Sequence, residues 1–226
     1  MFKFTAIALA LVTLLLTLEV FGVRSTTAGE KPWPEWSTVT VTGEGILFAC
    51  PQGDGELLSD KGLTITATLR TSLGYPVAGF PATDLWLIGC DSGLLICGSA
   101  RPFEGATDMN GRVLLDGRIL ASGCDNTGVR LVAQGITMQP CLPIQVRSAD
   151  LKSSQGGCPG DALCPDGEVD LADFSFLATH YPSSGNPGAS YFACVDFATP
   201  YGGSLGLADL SRFATHLSGQ HRCNVP

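Results

Sequence analysis

The sequence predicts a mainly β protein: an antiparallel β-sandwich at residues 37–149, followed by a small α-helical module at residues 161–226. In the first region, short segments alternate apolar residues with threonine, a pattern typical of half-buried strands. In the second, the helical pattern Leu171–Tyr181 recurs at Leu207–Leu217 with seven of eleven residues identical. Such self-similarity indicates a duplicated structural unit. Residues 150–160, rich in glycine and serine, are predicted to be a linker.

Residues 1–28 have the pattern of a signal peptide. A lysine at position 3 precedes an apolar run over residues 4–18, and small residues at 25–29 offer a cleavage zone. The run is short for a transmembrane helix, and a retained N-terminal anchor is the alternative. Residues 29–36 form a proline-rich lead-in. We therefore expect a secreted or extracellular protein without stable membrane insertion once the signal is removed.

The net charge and the cysteine content indicate which class of partner and which cellular compartment suit the chain. The chain has 226 residues, nine cysteines and a formal net charge of −8. An acidic chain with scattered basic residues argues against a nucleic-acid partner, because phosphate binding requires clustered Lys and Arg. Cysteines in a secreted chain favour disulfides, and an odd number leaves at least one of them free, intermolecular or bound to something else.

Short strands separated by Gly-, Asp- and Asn-rich turns are predicted throughout the first region. The predicted strands are residues 38–42, 63–70, 113–115, 129–133 and 143–147. Cys90 and Cys97 bracket a short loop, and we expect a disulfide between them. Zinc binding is the alternative, although thiolate zinc sites usually need four ligands.

Two turn motifs carry a resemblance to a known family. Gly74–Pro81 reads Gly-Tyr-Pro-Val-Ala-Gly-Phe-Pro, and Thr107–Gly111 reads Thr-Asp-Met-Asn-Gly. In this order, they resemble the signature of bacterial immunoglobulin-like repeats of the invasin type. The resemblance implies an immunoglobulin-like β-sandwich that acts as a structural or adhesive module, although such folds host many functions.

The residues before the first duplicated helix match half of an EF-hand-type calcium loop. Such loops take oxygen ligands from positions 1, 3, 5, 7 and 9, with glycine at 6 and an acidic residue at 12. Placing Asp173 at position 12 puts Gly167 at position 6, but Asp161 then lies one residue ahead of position 1. A one-residue insertion, closed by a Cys158–Cys164 bridge, would let Asp161 bind. The predicted ligands are Asp161, Asp166, Glu168, Asp170 and Asp173.

The second copy is a weaker calcium loop. Asp209 takes position 12, Asp196 lies two residues ahead of position 1, and positions 1, 3 and 5 carry no carboxylate. We expect Asp196 and Asp209 to bind calcium weakly or not at all. A metal-free alternative holds for Asp173 and Asp209, because the dipole of a helix stabilises a carboxylate in its first turn. We expect His180 and His216 to be surface residues or partners of the helix dipole, with metal binding as the alternative.

The loop-helix units resemble dockerin type I repeats, which occur in tandem and place a Leu-x-Asp sequence at the start of each helix. The resemblance implies a calcium cofactor and a cohesin-like protein partner. Dockerins often contact cohesins through a Ser-Thr pair at loop positions 10 and 11, where this chain has Leu171-Ala172 and Leu207-Ala208. The two helices also carry an apolar stripe each, and we expect the stripes to pack together as the core of the module. They are Phe174, Leu177, Ala178 and Tyr181, and Leu210, Phe213, Ala214 and Leu217.

No catalytic motif for a hydrolase, phosphotransferase or zinc protease occurs in the sequence, and we expect no enzymatic activity. The favoured function is a secreted, non-catalytic binding or assembly protein whose dockerin-like module binds calcium and docks to a partner domain or to its own sandwich. One alternative is an extracellular structural or adhesive protein in which degenerate repeats serve as a stabilising cap. Another is carbohydrate binding by the sandwich, with Trp33, Trp36, Trp86 and Tyr75 as stacking residues, although Trp86 is expected in the core.

Overall fold

The computed structural model describes residues 30–51, 55–97, 103, 105–153, 162–181, 192–198 and 205–217. The predicted signal peptide, Asp161, Cys158 and most of the predicted linker lie outside these residues. Ten strands and two α-helices form within the described ranges, so the chain is mainly β, as predicted. Within the same ranges, no helix combines the length and the apolarity needed to cross a membrane.

The regular elements follow the chain in the order predicted, strands first and helices last. The strands are β1 (Thr38–Thr42), β2 (Gly45–Ala49), β3 (Thr64–Thr68), β4 (Leu85–Gly89), β5 (Leu94–Ile96), β6 (Arg112–Leu115), β7 (Ala121–Asp125), β8 (Val129–Ala133), β9 (Ile136–Thr137) and β10 (Ile144–Ser148). The helices are α1 (Leu171–His180) and α2 (Leu207–His216). Short 3₁₀ turns occur at Ser59–Lys61, Ala82–Asp84 and Ala193–Val195.

The strands form three sheets, with orders β1-β3-β6, β2-β10-β7-β5 and β4-β8-β9. All pairs are antiparallel except β2 and β10, which run parallel with Leu47 opposite Val146. The prediction of a purely antiparallel arrangement is therefore wrong at this pair. Side chains from all three sheets fill one apolar core, in which Ile65, Val146 and Leu131 are each at most 1% exposed.

The threonine-rich strands form where alternation predicts them. In β3 the side chains of Ile65 and Ala67 are buried, while the intervening threonines are half-exposed. This follows because successive side chains of a strand point to opposite faces of the sheet.

The two turn motifs of the sequence are bonded to each other. The hydroxyl of Thr107 donates to the carbonyl of Val77 and accepts from the amide of Phe80. Gly111, at φ +75°, has Leu69 O only 2.4 Å from where a Cβ would stand, so no larger residue fits there. These contacts explain why both motifs consist of turn residues in a fixed order.

The predicted Cys90–Cys97 disulfide is wrong, because Cys90 is bonded to Cys141. Cys90 follows β4, and its amide donates to Gly128 O at the start of β8. Leu142 bridges to Val129 on the same strand, which brings the Cα atoms of Cys90 and Cys141 to 6.2 Å. The pairing of β4 with β8 therefore places Cys90 beside Cys141, although Cys97 is much closer to Cys90 in the sequence. Cys97 and Cys164 each take part in a disulfide as well.

Candidate functional site

The duplicated helices pack on the strands through a second apolar cluster, which we call the junction. The strand side of the junction supplies residues from the ends of β2, β7 and β10, and the helical side supplies both repeats. Its buried members are Phe48, Cys50, Cys124, Ala149, Leu151, Val169, Phe176, Leu177, Cys194, Val195, Phe197, Leu205 and Phe213. Phe213 and Phe197 are 0% exposed and their rings lie 6.3 Å apart. A continuous apolar interior therefore joins the repeats to the strands.

The helices bury a different face from the predicted one. In α1 the buried residues are Asp173, Phe176, Leu177 and His180, while Phe174 is 39% exposed. Leu177 is the one residue of the predicted stripe in this set. The rest of the stripe, together with Leu210 of α2, borders an open apolar pocket of about 210 Å³. Packing between the stripes is thus partial, with the Phe174 and Phe213 rings 6.0 Å apart.

Asp173 joins α1 to the segment that follows β10. One carboxylate oxygen accepts hydrogen bonds from the amides of Leu151 and Lys152, at 2.6 and 2.7 Å. The other accepts from the amide of Asp170 at 2.8 Å, which closes the first turn of the helix. The side chain is 0% exposed. This single carboxylate therefore satisfies three backbone donors, two of them outside its own repeat.

Asp209 repeats this arrangement in the second unit. One oxygen accepts from the amides of Phe197 and Ala198, at 2.7 and 2.9 Å, and the other from the amide of Gly206 at 2.8 Å. Asp209 is 4% exposed. The duplicated sequence thus gives a duplicated contact: an aspartate three residues into the helix binds two consecutive amides of a preceding segment. We call Asp173 and Asp209 the paired aspartates.

The predicted calcium ligands occupy different environments. Asp170 caps α1 by accepting from the amide of Ala172 at 2.7 Å. Asp166 accepts from the amide of Glu168 in a turn that places Gly167 at φ +89°. All three, Asp166, Glu168 and Asp170, are half-buried, and Asp161 lies outside the described residues.

Amide donors bond both oxygens of each paired aspartate, and calcium binding by Asp173 and Asp209 stays a prediction. A calcium ion takes six to eight oxygen ligands. Among the residues that the structure describes, no group of three or more His, Cys, Asp or Glu side chains is arranged to hold a metal ion. The metal-free alternative for Asp173 and Asp209, as carboxylates in the first turn of a helix, agrees with this geometry.

Asp196, the other candidate of the second loop, lies in a buried ion pair. Its carboxylate is 3.7 Å from the guanidinium of Arg147 on β10, and Arg147 also donates to the Asp196 carbonyl at 2.8 Å. Both residues are less than 5% exposed. A buried charge of this kind needs its partner to remain stable, so Asp196 ties the second repeat to β10.

Asp150 is the residue of the junction that the sequence did not single out. It follows β10, is 0% exposed, and accepts from the amide of Gly167 at 2.7 Å and that of Asp166 at 3.2 Å. Burial, together with the nearby Asp173 carboxylate, raises the pKa of Asp150 to about 7, although the hydrogen bonds from the Gly167 and Asp166 amides oppose this. Burial likewise raises the pKa of Asp173 to about 6, although three amide hydrogen bonds oppose this. The two acids thus hold protons in the folded state that they release on unfolding.

This pair predicts a pH dependence of stability. A folded-state pKa above the unfolded value gives stability that is present at low pH and lost as pH rises through the folded-state pKa. We therefore expect the Tm in chelator to fall between pH 5 and pH 8, by on the order of 5 °C in a chain of this size. Asp150→Asn should flatten the slope. A Tm that is constant or rises over this window would contradict the prediction.

Acids whose pKa is lowered in the folded state do not change the stability between pH 5 and pH 8. Burial alone would raise the pKa of Glu56, but hydrogen bonds from the Phe48 amide, Lys61 and Arg212 outweigh it and lower the pKa. The stability that such a group contributes is lost only as pH falls below its ordinary range. Scans above pH 5 therefore do not report on Glu56.

The histidines at the helix ends are buried rather than on the surface. His180 and His216 are 8% and 7% exposed, and each Nδ1 lies within 3.0 Å of the carbonyl four residues earlier. Each Nδ1 also lies within 3.0 Å of the hydroxyl of the preceding threonine, Thr179 or Thr215, and it donates to the carbonyl in the tautomer that carries the proton on Nδ1. The ring of His216 also packs 5.1 Å from that of Phe48. Both therefore act as internal caps of helix carbonyls, as part of the junction.

Two further links cross the junction. A disulfide joins Cys124 on β7 to Cys194 in the second repeat, over a sequence separation of 70. Arg212 on α2 donates to Glu56 at 2.9 Å and lies 4.3 Å over the ring of Phe48. The strands and the second repeat are thus connected covalently, electrostatically and through packing.

Comparison of the chain with known proteins adds no relative to this picture. No protein family, no curated protein and no solved structure matches it.

Proposed function

We propose that this chain is a non-catalytic extracellular structural protein whose dockerin-like module docks on its own immunoglobulin-like sandwich. The observation that carries the proposal is the set of links between the strands and the second repeat: the Cys124–Cys194 disulfide, the buried Arg147–Asp196 ion pair and the hydrogen bond from Arg212 to Glu56. A dockerin-like module that bound only an external partner would have no need of these links to the strands. The module acts as a built-in cap over the ends of β2, β7 and β10.

The sandwich part of the proposal is supported by the shared core of the three sheets and by the hydrogen bonds between the two turn motifs. An extracellular location is supported by two disulfides with separations of 51 and 70 residues, since such bonds persist in oxidising compartments. If the module and the sandwich form one unit, the amides of β10 and of α2 will exchange with solvent with the same opening free energy.

Calcium binding at the first loop stays a prediction, with Asp166, Glu168, Asp170 and Asp173 as the described ligands and Asp161 as a further one. Isothermal titration calorimetry on the mature chain tests it. The matched variant is Asp166→Asn/Asp170→Asn, because asparagine keeps the turn and the helix cap while removing charge. We expect saturable binding of about one ion per chain that is lost in the variant. Binding heat that is absent, with an unchanged Tm in excess calcium, would mean a metal-free module.

A second candidate function is docking of a cohesin-like domain, and one observation favours it. Leu171 and Leu207, at loop position 10 of each repeat, are 73% and 76% exposed. Equivalent exposed leucines on two helices could form a recognition surface that the junction leaves open. Introducing a negative charge at both positions, Leu171→Glu/Leu207→Glu, would abolish such docking without altering the Tm.

A further inference from the structure

Three aromatic side chains are exposed on two adjoining turns. Trp33, Trp36 and Tyr75 are 45%, 54% and 42% exposed. Trp33 and Trp36 lie in the turn that leads into β1, and Tyr75 lies in the turn that follows β3. These turns meet because Thr38 pairs with Thr68 across the two strands. We call the three rings the aromatic platform.

The platform is held by hydrogen bonds between its two turns. The Trp33 amide donates to Arg70 O at 2.7 Å, and the Arg70 amide donates to Ser37 Oγ at 3.0 Å. The guanidinium of Arg70 donates to Gly74 O at 2.9 Å. The rings are thus presented by fixed backbone, which lowers the entropic cost of binding a ligand.

The spacing of the rings suits an extended ligand. The amide of Trp36 donates to Trp33 O, a turn bond that keeps the two Cα atoms within about 7 Å. At Gly74, the position of a Cβ would lie 3.7 Å from Cε3 of the Trp36 ring, so the turn that carries Tyr75 packs against Trp36. The three residues are therefore carried on two adjoining turns, within reach of one extended ligand.

Polar groups lie among the rings, which distinguishes the platform from a purely apolar docking face. The exposed carboxylate of Glu35 accepts from Trp33 Nε1 at 3.4 Å, and the guanidinium of Arg70 anchors the neighbouring turn. A pyranose ring has the matching character, with an apolar C–H face that stacks on an aromatic ring and hydroxyls at its rim that bond charged groups.

Charge selects among ligands that stack on aromatic rings. Nucleic acids and anionic glycans are polyanions, and a chain with net charge −8 and an acid inside the platform disfavours them. We propose that the aromatic platform binds neutral polysaccharide through stacking by Trp33, Trp36 and Tyr75. This would let the structural protein adhere to a glycan surface, and it is independent of whether the module binds calcium.

The test is retention of the intact mature protein on cellulose, chitin and a neutral β-glucan, each as the insoluble polymer. We expect retention on at least one of them, and a loss of about tenfold or more in Trp36→Ala/Tyr75→Ala, because this variant removes two of the three stacking rings. Unchanged Tm values would show that the variant is folded. Fluorescence of the half-exposed tryptophans should shift on binding.

Leu73→Ala is the matched control, because Leu73 lies in the same turn and is 78% exposed. It should leave retention unchanged if stacking is responsible. The proposal is overturned if the protein is retained on none of the polymers. It is also overturned if Leu73→Ala weakens retention as much as the aromatic variant, or if retention needs an anionic polymer.

Discussion

Replacement of Asp173 by alanine is expected to lower the free energy of unfolding by roughly 3 kcal/mol. The change leaves the amides of Leu151, Lys152 and Asp170 without their acceptor, and each unsatisfied buried donor costs about 1–3 kcal/mol. The cost of burying the carboxylate, which its raised pKa reflects, offsets part of this loss. Urea unfolding followed by circular dichroism at pH 7 measures the effect.

Two further variants serve for comparison with Asp173→Ala, one at the equivalent residue and one at an exposed control position. Asp209→Ala should cause a similar loss, because Asp209 makes the equivalent three bonds in the second repeat. Asp60→Ala, at an exposed residue of a 3₁₀ turn, should change stability by less than about 0.5 kcal/mol. A loss below about 1 kcal/mol for Asp173→Ala would mean that water or other groups satisfy these amides.

Removal of the disulfide across the junction, by Cys124→Ala/Cys194→Ala, is expected to cost roughly 4 kcal/mol. The bond joins residues 70 positions apart. Without it, the unfolded chain gains conformational entropy, which lowers the free energy of unfolding by about this amount. The variant should also expose the second repeat, because the bond anchors Cys194 inside the junction. Chemical unfolding and limited proteolysis of the two proteins give the two readouts.

The Cys90→Ala/Cys141→Ala variant separates the general loss of stability from the specific exposure of the second repeat. That disulfide spans 51 residues between loops of the strand region, so its removal should lower stability by a similar amount. It should not make the helices more sensitive to protease than the strands. Equal proteolysis of α2 in both variants would contradict a specific role of Cys124–Cys194 at the junction.

Alternation predicted β1 and β3, whose two faces differ in burial, and it gave no signal for β7, which is buried on both faces. β1 and β3 carry a Thr/Val or Thr/Ile alternation and form as predicted. β7, with the sequence Ala-Ser-Gly-Cys-Asp, has all five residues buried between β5 and β10. Its Gly123 has φ +84° and lies directly beside Gly93 O. Nothing in such a sequence indicates a strand until its neighbours are known.

The duplication identified the important residues of the junction but not their chemistry. Asp173 and Asp209 stand out in the sequence because they recur, yet a loop pattern does not distinguish a carboxylate that binds calcium from one that binds amides. The deciding partners of Asp173 are backbone groups of Leu151 and Lys152, in a segment with no motif. For the same reason, the buried face of α1 includes Asp173 and His180, which an apolar stripe does not predict.

We infer that the duplicated helices and the strands form one cooperative unit. Native-state hydrogen exchange on the intact protein tests this, because it gives the opening free energies of amides in β10 and in α2. We expect equal opening free energies in both elements, and an equal decrease in both when Asp209 is replaced by alanine. Opening of α2 at a lower free energy, with β10 unaffected by Asp209→Ala, would contradict it and show a module that folds apart from the strands.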